Sequence, residues 1–264
     1  RIHPPSISDN IDGGTAVRQL ALDEAEWGFN ISITMIDAAV VNPWEVNERL
    51  KFNKWTQMRR AAELGFEIPA SLLTNDTSSI LPFWQKMERR MVFKKIRTGI
   101  LQMEDGRKFI LHTNRIPEEV ITPENVERMG FYPMFFQSLL EKKCDVRAVV
   151  IGEQVFSVAI DSQSVKEGVT DYRTAAIQGK LAQMRHEIID LGEDINRKLV
   201  TFTRSFGLTF SAIDLVITKD DRLVFLEDNP NGQWGWLEKL TGVPISRAIA
   251  ELLCSMARNN LKNH

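Results

Sequence analysis

The sequence predicts an α+β fold, and three observations predict it. Short apolar runs of strand length occur, among them Ser211–Asp214 and Leu223–Leu226. Longer stretches carry apolar residues at helical spacing, in Ala16–Phe29, Asn47–Leu64, Leu181–Phe206 and Ile245–Leu261. Turn signals at Asp105-Gly106, Gly152-Glu153 and Asp220-Asp221 join neighbouring strand-like runs as hairpins. At 264 residues the chain can bury a full core, as one two-part domain or two small ones.

Taken in order, Arg1–Gly14 bears Pro and Gly with little periodicity and reads as loop. Ala16–Phe29 is a helix that extends or repeats through Ile31–Val40. Val41-Asn42-Pro43 opens the next unit, and Asn47–Leu64 is a helix ended by Gly65. Phe66–Leu73 reads as a strand, with Pro69 implying an edge. Thr77 or Ser78 caps a helix to about Met87, and Met91–Phe93 is a strand that delivers Lys94-Lys95 at its end. Ile100-Leu101 and Phe109–Leu111 form a hairpin around Asp105-Gly106. Thr122-Pro123 opens a short helix within Pro117–Met129, a cap residue before a first-turn proline.

Pro133–Leu140 is apolar and strand-like. Ala148–Ile151 and Gln154–Ile160 follow as strands around Gly152-Glu153. Asp171-Tyr172-Arg173 suits a strand with both charges on one face. Leu181–Phe206 is the longest helical stretch, with a break near Leu191-Gly192 and an end at Gly207. Leu208–Leu215 leads into the hairpin with Leu223–Leu226, and Ile245–Leu261 closes the chain as an amphipathic helix.

Composition excludes several classes. A net charge of -2 and a pI near 6.2 give no reason to expect nucleic acid. No apolar run has the length of a membrane span, and no signal peptide is visible. Cys144 and Cys254 lack metal spacing and favour a reducing cytoplasm, and four scattered histidines form no ligand pair.

The stretch that carries chemistry is Leu223–Trp236. Glu227 and Asn229 sit two apart at a strand end, so they share a face just before the turn Pro230-Asn231-Gly232. Across the Asp220-Asp221 turn, Asp214 comes alongside them. Three hard oxygen donors placed like this suit Mg²⁺. From spacing alone, a hairpin with polar ends reads equally well.

Asp214…Glu227-x-Asn229 looks like the metal signature of ATP-grasp ligases. The narrower run Glu227-x-Asn229-Pro230-Asn231-Gly232-Gln233-Trp234 resembles the ATP-grasp enzymes that crosslink ribosomally made precursor peptides of the microviridin, or graspetide, type. Asp228 departs from the pattern, where an apolar residue is usual. It should point away from the metal and must find solvent or a partner.

The resemblance spans about Asn42 to Leu253 and implies an ATP-grasp fold, two α+β halves clasping Mg-ATP. Residues 1–45 resemble the tail of an N-terminal domain whose strand-forming first part is not in this sequence, so a truncated N-terminal piece is expected before an ATP-grasp domain at 46–264. In such a fold Lys54 and Lys94 hold phosphates. The hinge near 133–141 reads adenine through backbone groups, at Gln137 and Leu139, and Asp145 accepts from ribose hydroxyls. Arg173 forks onto the transferring phosphoryl group, with Asp171 orienting it or meeting substrate, while Asp214, Glu227 and Asn229 hold Mg²⁺. On residues alone, Lys54 and Lys94 also read as solvated lysines, Asp145 as a partner of Arg147, and Asp171–Arg173 as a surface ion pair.

The implied activity is ATP-dependent activation of Asp or Glu side chains of a precursor peptide, then ester or amide crosslinking. The implied partners are that peptide, with its leader and an Asp/Glu plus Ser/Thr/Lys core, and a second copy of the chain as a homodimer, in the cytoplasm. One rival is an ATP-grasp ligase that adds free amino acids to a carboxylate; another is a non-catalytic ATP-binding module.

Overall fold

Two antiparallel sheets face each other across a cleft. The computed structural model describes residues 14–97, 100–102, 108–110 and 113–262. The chain begins with α1 (Gly14–Thr34), α2 (Trp44–Leu50) and α3 (Lys54–Glu63). It continues through β1 (Ser71–Thr74), α4 (Ile80–Lys86), β2 (Met91–Lys94), β3 (Ile100–Gln102), β4 (Lys108–Ile110), β5 (Asn114–Arg115), α5 (Pro123–Glu127) and β6 (Met134–Ser138). The second half holds β7 (Lys142–Ile151), β8 (Gln154–Ile160), α6 (Tyr172–Ile177), β9 (His186–Ile189), α7 (Glu193–Ser205), β10 (Phe210–Thr218), β11 (Leu223–Asn229), α8 (Gly235–Thr241) and α9 (Ile245–Lys262).

Four strands form one sheet in the order β1-β6-β2-β5, and five form the other as β11-β10-β7-β8-β9. A separate pair is β3 with β4. Alternation along the strands divides the core. Val146, Ala148, Val150, Ile213 and Leu215 pack under α3 and α7, against Met58, Leu199 and Phe202. Their neighbours Val149, Ile151 and Ala212 face Leu237 of α8 and Ile245 and Ala248 of α9. The smaller sheet buries Met91, Met134 and Phe136 against Ile80 and Trp84 of α4. Among the described residues no helix is long and apolar enough to cross a membrane.

Several elements differ from the sequence reading, each for a local reason. The helix expected over Asn47–Leu64 is two, because Asn53 leaves helical geometry and accepts the Thr56 N–H at 3.2 Å, starting α3 afresh. Gly65, at φ +80°, ends α3 as expected. The first helix stops at Thr34 rather than running to Val40. Ser32 and Thr34 turn their hydroxyls onto the Gly28 and Ile31 carbonyls there.

Of the strand expected at Phe66–Leu73, Ser71–Leu73 joins the smaller sheet as part of β1, at its edge beyond Pro69, while Glu67 makes an isolated parallel bridge to Val224 of β11. Asp76, not Thr77 or Ser78, caps the 3-10 turn Thr77–Ser79 that leads into α4, accepting the Ser78 N–H at 2.9 Å. Leu181–Phe206 splits into β9, paired to β8, and α7, with Gly192 at φ +85° between them. Sheet pairing overrides the helical spacing of that apolar run. The short α8 went unread. The turn Asp105-Gly106, Leu111 and residues 1–13 lie outside the described residues, but Ile100 pairs with Ile110 as the hairpin requires.

Asn42 ties the linker before α2 to the large sheet. It is buried, its Oδ1 accepts the N–H groups of Thr209 and Phe210 at 2.8 and 2.9 Å, and its Nδ2 donates to the carbonyls of Phe210 and Pro230 at 2.7 and 2.8 Å. Asn42→Ala strands these groups away from water, so it is expected to lower the unfolding free energy by at least ~2 kcal/mol. Urea denaturation measures this; a variant as stable as the parent contradicts it.

Candidate active site

The site begins with strand register. Asp214 on β10 stands directly opposite Glu227 on β11, and Arg147 on β7 stands opposite Asp214 on its other side. The three form one row across the sheet face. Ile213 is paired with Asp228 and Ala212 with Asn229, and a bulge after Asp214 sets Leu215 opposite Phe225. Like charges directly opposite destabilise a strand pair, so the two carboxylates need cations.

Those cations come from four elements. Arg147 donates from Nη1 to Asp214 Oδ1 at 2.8 Å, and the Tyr172 hydroxyl donates to the same oxygen at 3.2 Å. Lys54, the first residue of α3, places Nζ 2.9 Å from Glu227 Oε2. Arg173 donates from Nη1 to Glu227 Oε1, and the same nitrogen is 3.7 Å from Asp214 Oδ2. Burial alone would raise the Glu227 carboxyl, but Arg173, Lys54 and Lys94 outweigh it and hold it well below the usual carboxylate range. Lys94 ends β2 and is buried in the same space, which pulls its ammonium below its ordinary value.

Asp171 and Arg173 form a helix start rather than the expected strand. Asp171 caps α6, accepting the Arg173 N–H at 3.1 Å. Its two oxygens also accept from Nε and Nη2 of Arg173 at 2.8 and 2.9 Å. The fork is thereby held from one side, and Nη1 is the edge that meets the carboxylates. Tyr172, between them, is buried with its hydroxyl on Asp214, a role the sequence reading did not assign.

The cleft between the sheets encloses about 550 Å³ of space, open solvent at its mouth included. Lys94, Gln137, Asp145, Asp171, Arg173 and Asp214 all line it. Asp145 pairs with Lys142 at 2.8 Å, not with Arg147, and Lys142 also donates to the Thr170 carbonyl at 3.1 Å. Burial raises the Asp145 carboxyl against the pull of Lys142. The Gln137 amide is turned to the Ser71 hydroxyl at 3.0 Å. Leu139 borders an adjoining depression instead, and its N–H is engaged by the Arg90 carbonyl at 2.9 Å. Leu140, beside it, lines the cleft.

Asn229 is exposed at the end of β11, its Oδ1 accepting the Asn231 N–H at 3.2 Å. The turn after it needs a glycine. A Cβ on Gly232 would lie 2.4 Å from the Ala212 Cβ and 2.8 Å from an Arg147 nitrogen. Asp228, as expected, faces away, buried with the Ser211 hydroxyl at 3.4 Å, and burial pushes its carboxyl up to about 7. Among the described residues no group of three His, Cys, Asp or Glu gathers as a metal site. The oxygen set here is two carboxylates and a following amide, a hard donor set of the kind Mg²⁺ takes. Arg147 was missed as a functional residue, although its position two beyond Asp145 on one strand put it on the same face.

Two facing sheets, a cleft between them, and lysines and arginines turned onto an acidic hairpin define a phosphate-handling fold. The chain belongs to the RimK-like ATP-grasp family, whose domain matches residues 53–253. It is similar to the macrocyclase MdnC bound with precursor peptide MdnA from Microcystis aeruginosa MRC, with 27% identity and a TM-score of 0.76 over 95% of this chain and 74% of that one. The RiPP-associated ATP-grasp ligase of Chryseobacterium gregarium, in complex with ADP and a leader and core peptide, matches at 29% identity and a TM-score of 0.81, over 94% and 74%. A probable alpha-L-glutamate ligase of Haemophilus influenzae (strain PittEE) is 24% identical over 214 residues, 80% of this chain. The chain spans just under two thirds of that relative's length, 66%.

The Asp171–Arg173 pair makes stability depend on pH. Although burial works against it, Arg173 lowers the Asp171 carboxyl from 3.8 to about 2. A depressed folded value contributes stability above the unfolded value and loses it as pH falls through the folded one. Asp171→Asn keeps a capping side chain and removes the charge. It is expected to cost up to about 2 kcal/mol at neutral pH, less to the extent that half-exposed Arg173 is screened, with the gap closing between pH ~4 and ~2. Denaturant titrations across that range check it, and a gap unchanged at pH ~2 contradicts it.

Proposed function

We propose that the chain is an ADP-forming ligase that activates Asp or Glu side-chain carboxylates of a ribosomally made precursor peptide and closes them into ester or amide crosslinks. The observation that carries this reading is Arg173, held by Asp171 and directed at Glu227 and Asp214 inside the cleft between the sheets. The resemblance of Glu227–Trp234 to the crosslinking ligases, and the similarity to a macrocyclase and to a ligase complexed with ADP and peptide, support it.

On this reading Lys94 and Lys54 bind phosphate oxygens of ATP, Asp145 accepts from the ribose, and the backbone around Gln137 and Leu139 meets the adenine. Asp214, Glu227 and Asn229 would hold Mg²⁺, which when bound neutralises phosphate charge. A substrate carboxylate oxygen attacks the γ-phosphorus as the bond to the β-phosphate oxygen breaks, giving an acyl phosphate and ADP. A Ser, Thr or Lys side chain then attacks the acyl carbon, loses its proton and expels inorganic phosphate. Arg173 steadies the charge that moves to the acceptor carboxylate, and the sheets on either side keep water from the acyl phosphate. Leader-dependent docking, a homodimer, a cytoplasmic setting and a boundary near residue 45 belong to the same proposal.

The alpha-L-glutamate ligase relative keeps one rival in view, addition of free glutamate to a carboxylate. Incubation with Mg-ATP, glutamate and candidate precursor peptides, read by mass spectrometry, separates the readings. Loss of one water per crosslink with ADP release is expected. A gain of glutamate residues favours the rival, and nucleotide binding without either favours a non-catalytic module. Arg173→Lys keeps the charge but loses the planar fork, so it is expected to bind ATP nearly as the parent does and lose kcat by about 10²-fold or more. Crosslinking at the parental rate would remove Arg173 from the chemistry.

A further inference from the structure

The strand that carries Glu227 and Asn229 is the outer strand of its sheet, so part of its backbone has no neighbouring strand. At Asp228 that place is taken by a side chain. Gln57 of α3, fully buried, accepts the Asp228 N–H on Oε1 at 2.9 Å and donates from Nε2 to the Asp228 carbonyl at 3.0 Å. Its second Nε2 hydrogen goes to the Leu50 carbonyl at 2.8 Å, so the amide has no free donor and cannot turn. Two residues further, the Pro230 carbonyl accepts from buried Asn42 at 2.8 Å. Asn229, itself exposed, is thus bracketed by two buried carboxamides that grip the backbone on either side of it.

Gln57 also lies three residues beyond Lys54, on the same face of α3. The helix therefore meets β11 twice, with Lys54 on the Glu227 carboxylate and Gln57 on the next peptide unit. We infer that Gln57 is a positioning residue, whose carboxamide takes the place of a further strand and fixes the spacing at which Glu227 and Asn229 present their oxygens to a divalent cation and Glu227 meets Lys54. A hydrophobic residue of the same length would fill the same space without setting that spacing. This inference rests on the proposed metal role of Asp214, Glu227 and Asn229.

The test is Gln57→Met, which keeps length and volume and removes all three hydrogen bonds. Calorimetric titration with ADP is done in EDTA and across a MgCl₂ series, for the parent, Gln57→Met and Glu227→Gln. Partners of metal ligands typically contribute 10–100-fold to metal affinity, so Gln57→Met is expected to need about tenfold or more Mg²⁺ for the same ADP affinity. Its affinity in EDTA is expected to match the parent. Equal weakening with and without Mg²⁺ would make Gln57 a packing residue and overturn the inference, as would an unchanged Mg²⁺ dependence. Glu227→Gln separates the two levels: if it too leaves the Mg²⁺ dependence intact, the metal reading falls and this inference with it. Should Gln57→Met not fold, Gln57→Glu, which keeps the acceptor and removes the donor, is read by the same criteria.

Discussion

Asp214 and Glu227 face each other on adjacent antiparallel strands, and two carboxylates so placed repel. The arrangement persists because Arg147, Arg173, Lys54 and Lys94 reach toward it from β7, α6, α3 and β2. Each belongs to a different element, so balancing one local charge fixes four pieces of chain around a single point. The Arg147–Asp214 pair is almost wholly out of water, and breaking so buried a pair by removing one partner typically costs about 3–5 kcal/mol. Lys94 comes from the smaller sheet and the acidic pair from the larger one. The charge requirement therefore works across the cleft and not only within a sheet.

The same constraint shapes the proposed chemistry. Cations already turned toward the hairpin are the groups a polyphosphate would need, in a space lined from both sides. Arg173 is the most directional of them. Asp171 holds two of its nitrogens from behind and is itself fixed as the cap of α6, so the free edge of the fork has one orientation. Preorganisation of this kind costs nothing at the moment of reaction, which is why such groups stabilise developing charge effectively. Backbone anchoring continues the pattern one layer out, where Gln57 and Asn42 hold the C-terminal end of the acidic strand at Asp228 and Pro230.

Much of this was legible in the residues. Period-two alternation and the Asp220-Asp221 turn place Asp214 beside Glu227, and the register pairs the two directly. Apolar runs and glycines gave β8 and α9 nearly to their ends, but only the closing Ala148–Ile151 of β7 and the opening parts of β10 and β11. What was not legible depends on choices that spacing leaves open. Residues two apart share a face in a strand, but Asp followed two later by Arg equally makes an N-cap and its bonded N–H, as at Asp171 and Arg173. Asn53 looks like a helix residue until its amide oxygen captures a backbone N–H. The run before Leu191 has helical spacing, yet an edge position on β8 makes it β9. Arg147 and Gln57 carry no motif, because their partners are 67 and 171 residues away in sequence.

The central claim is that Asp214 and Glu227, with Asn229 beyond them, form a divalent cation site beside bound nucleotide. Anomalous scattering from crystals grown with Mn²⁺ and ADP tests it most directly. The account predicts a manganese peak within coordination distance of both carboxylates, with Arg173 no longer on Glu227 but still held by Asp171. A peak elsewhere in the cleft, or ADP bound with Arg173 and Lys54 unmoved on Glu227 and no metal between the strands, would contradict it.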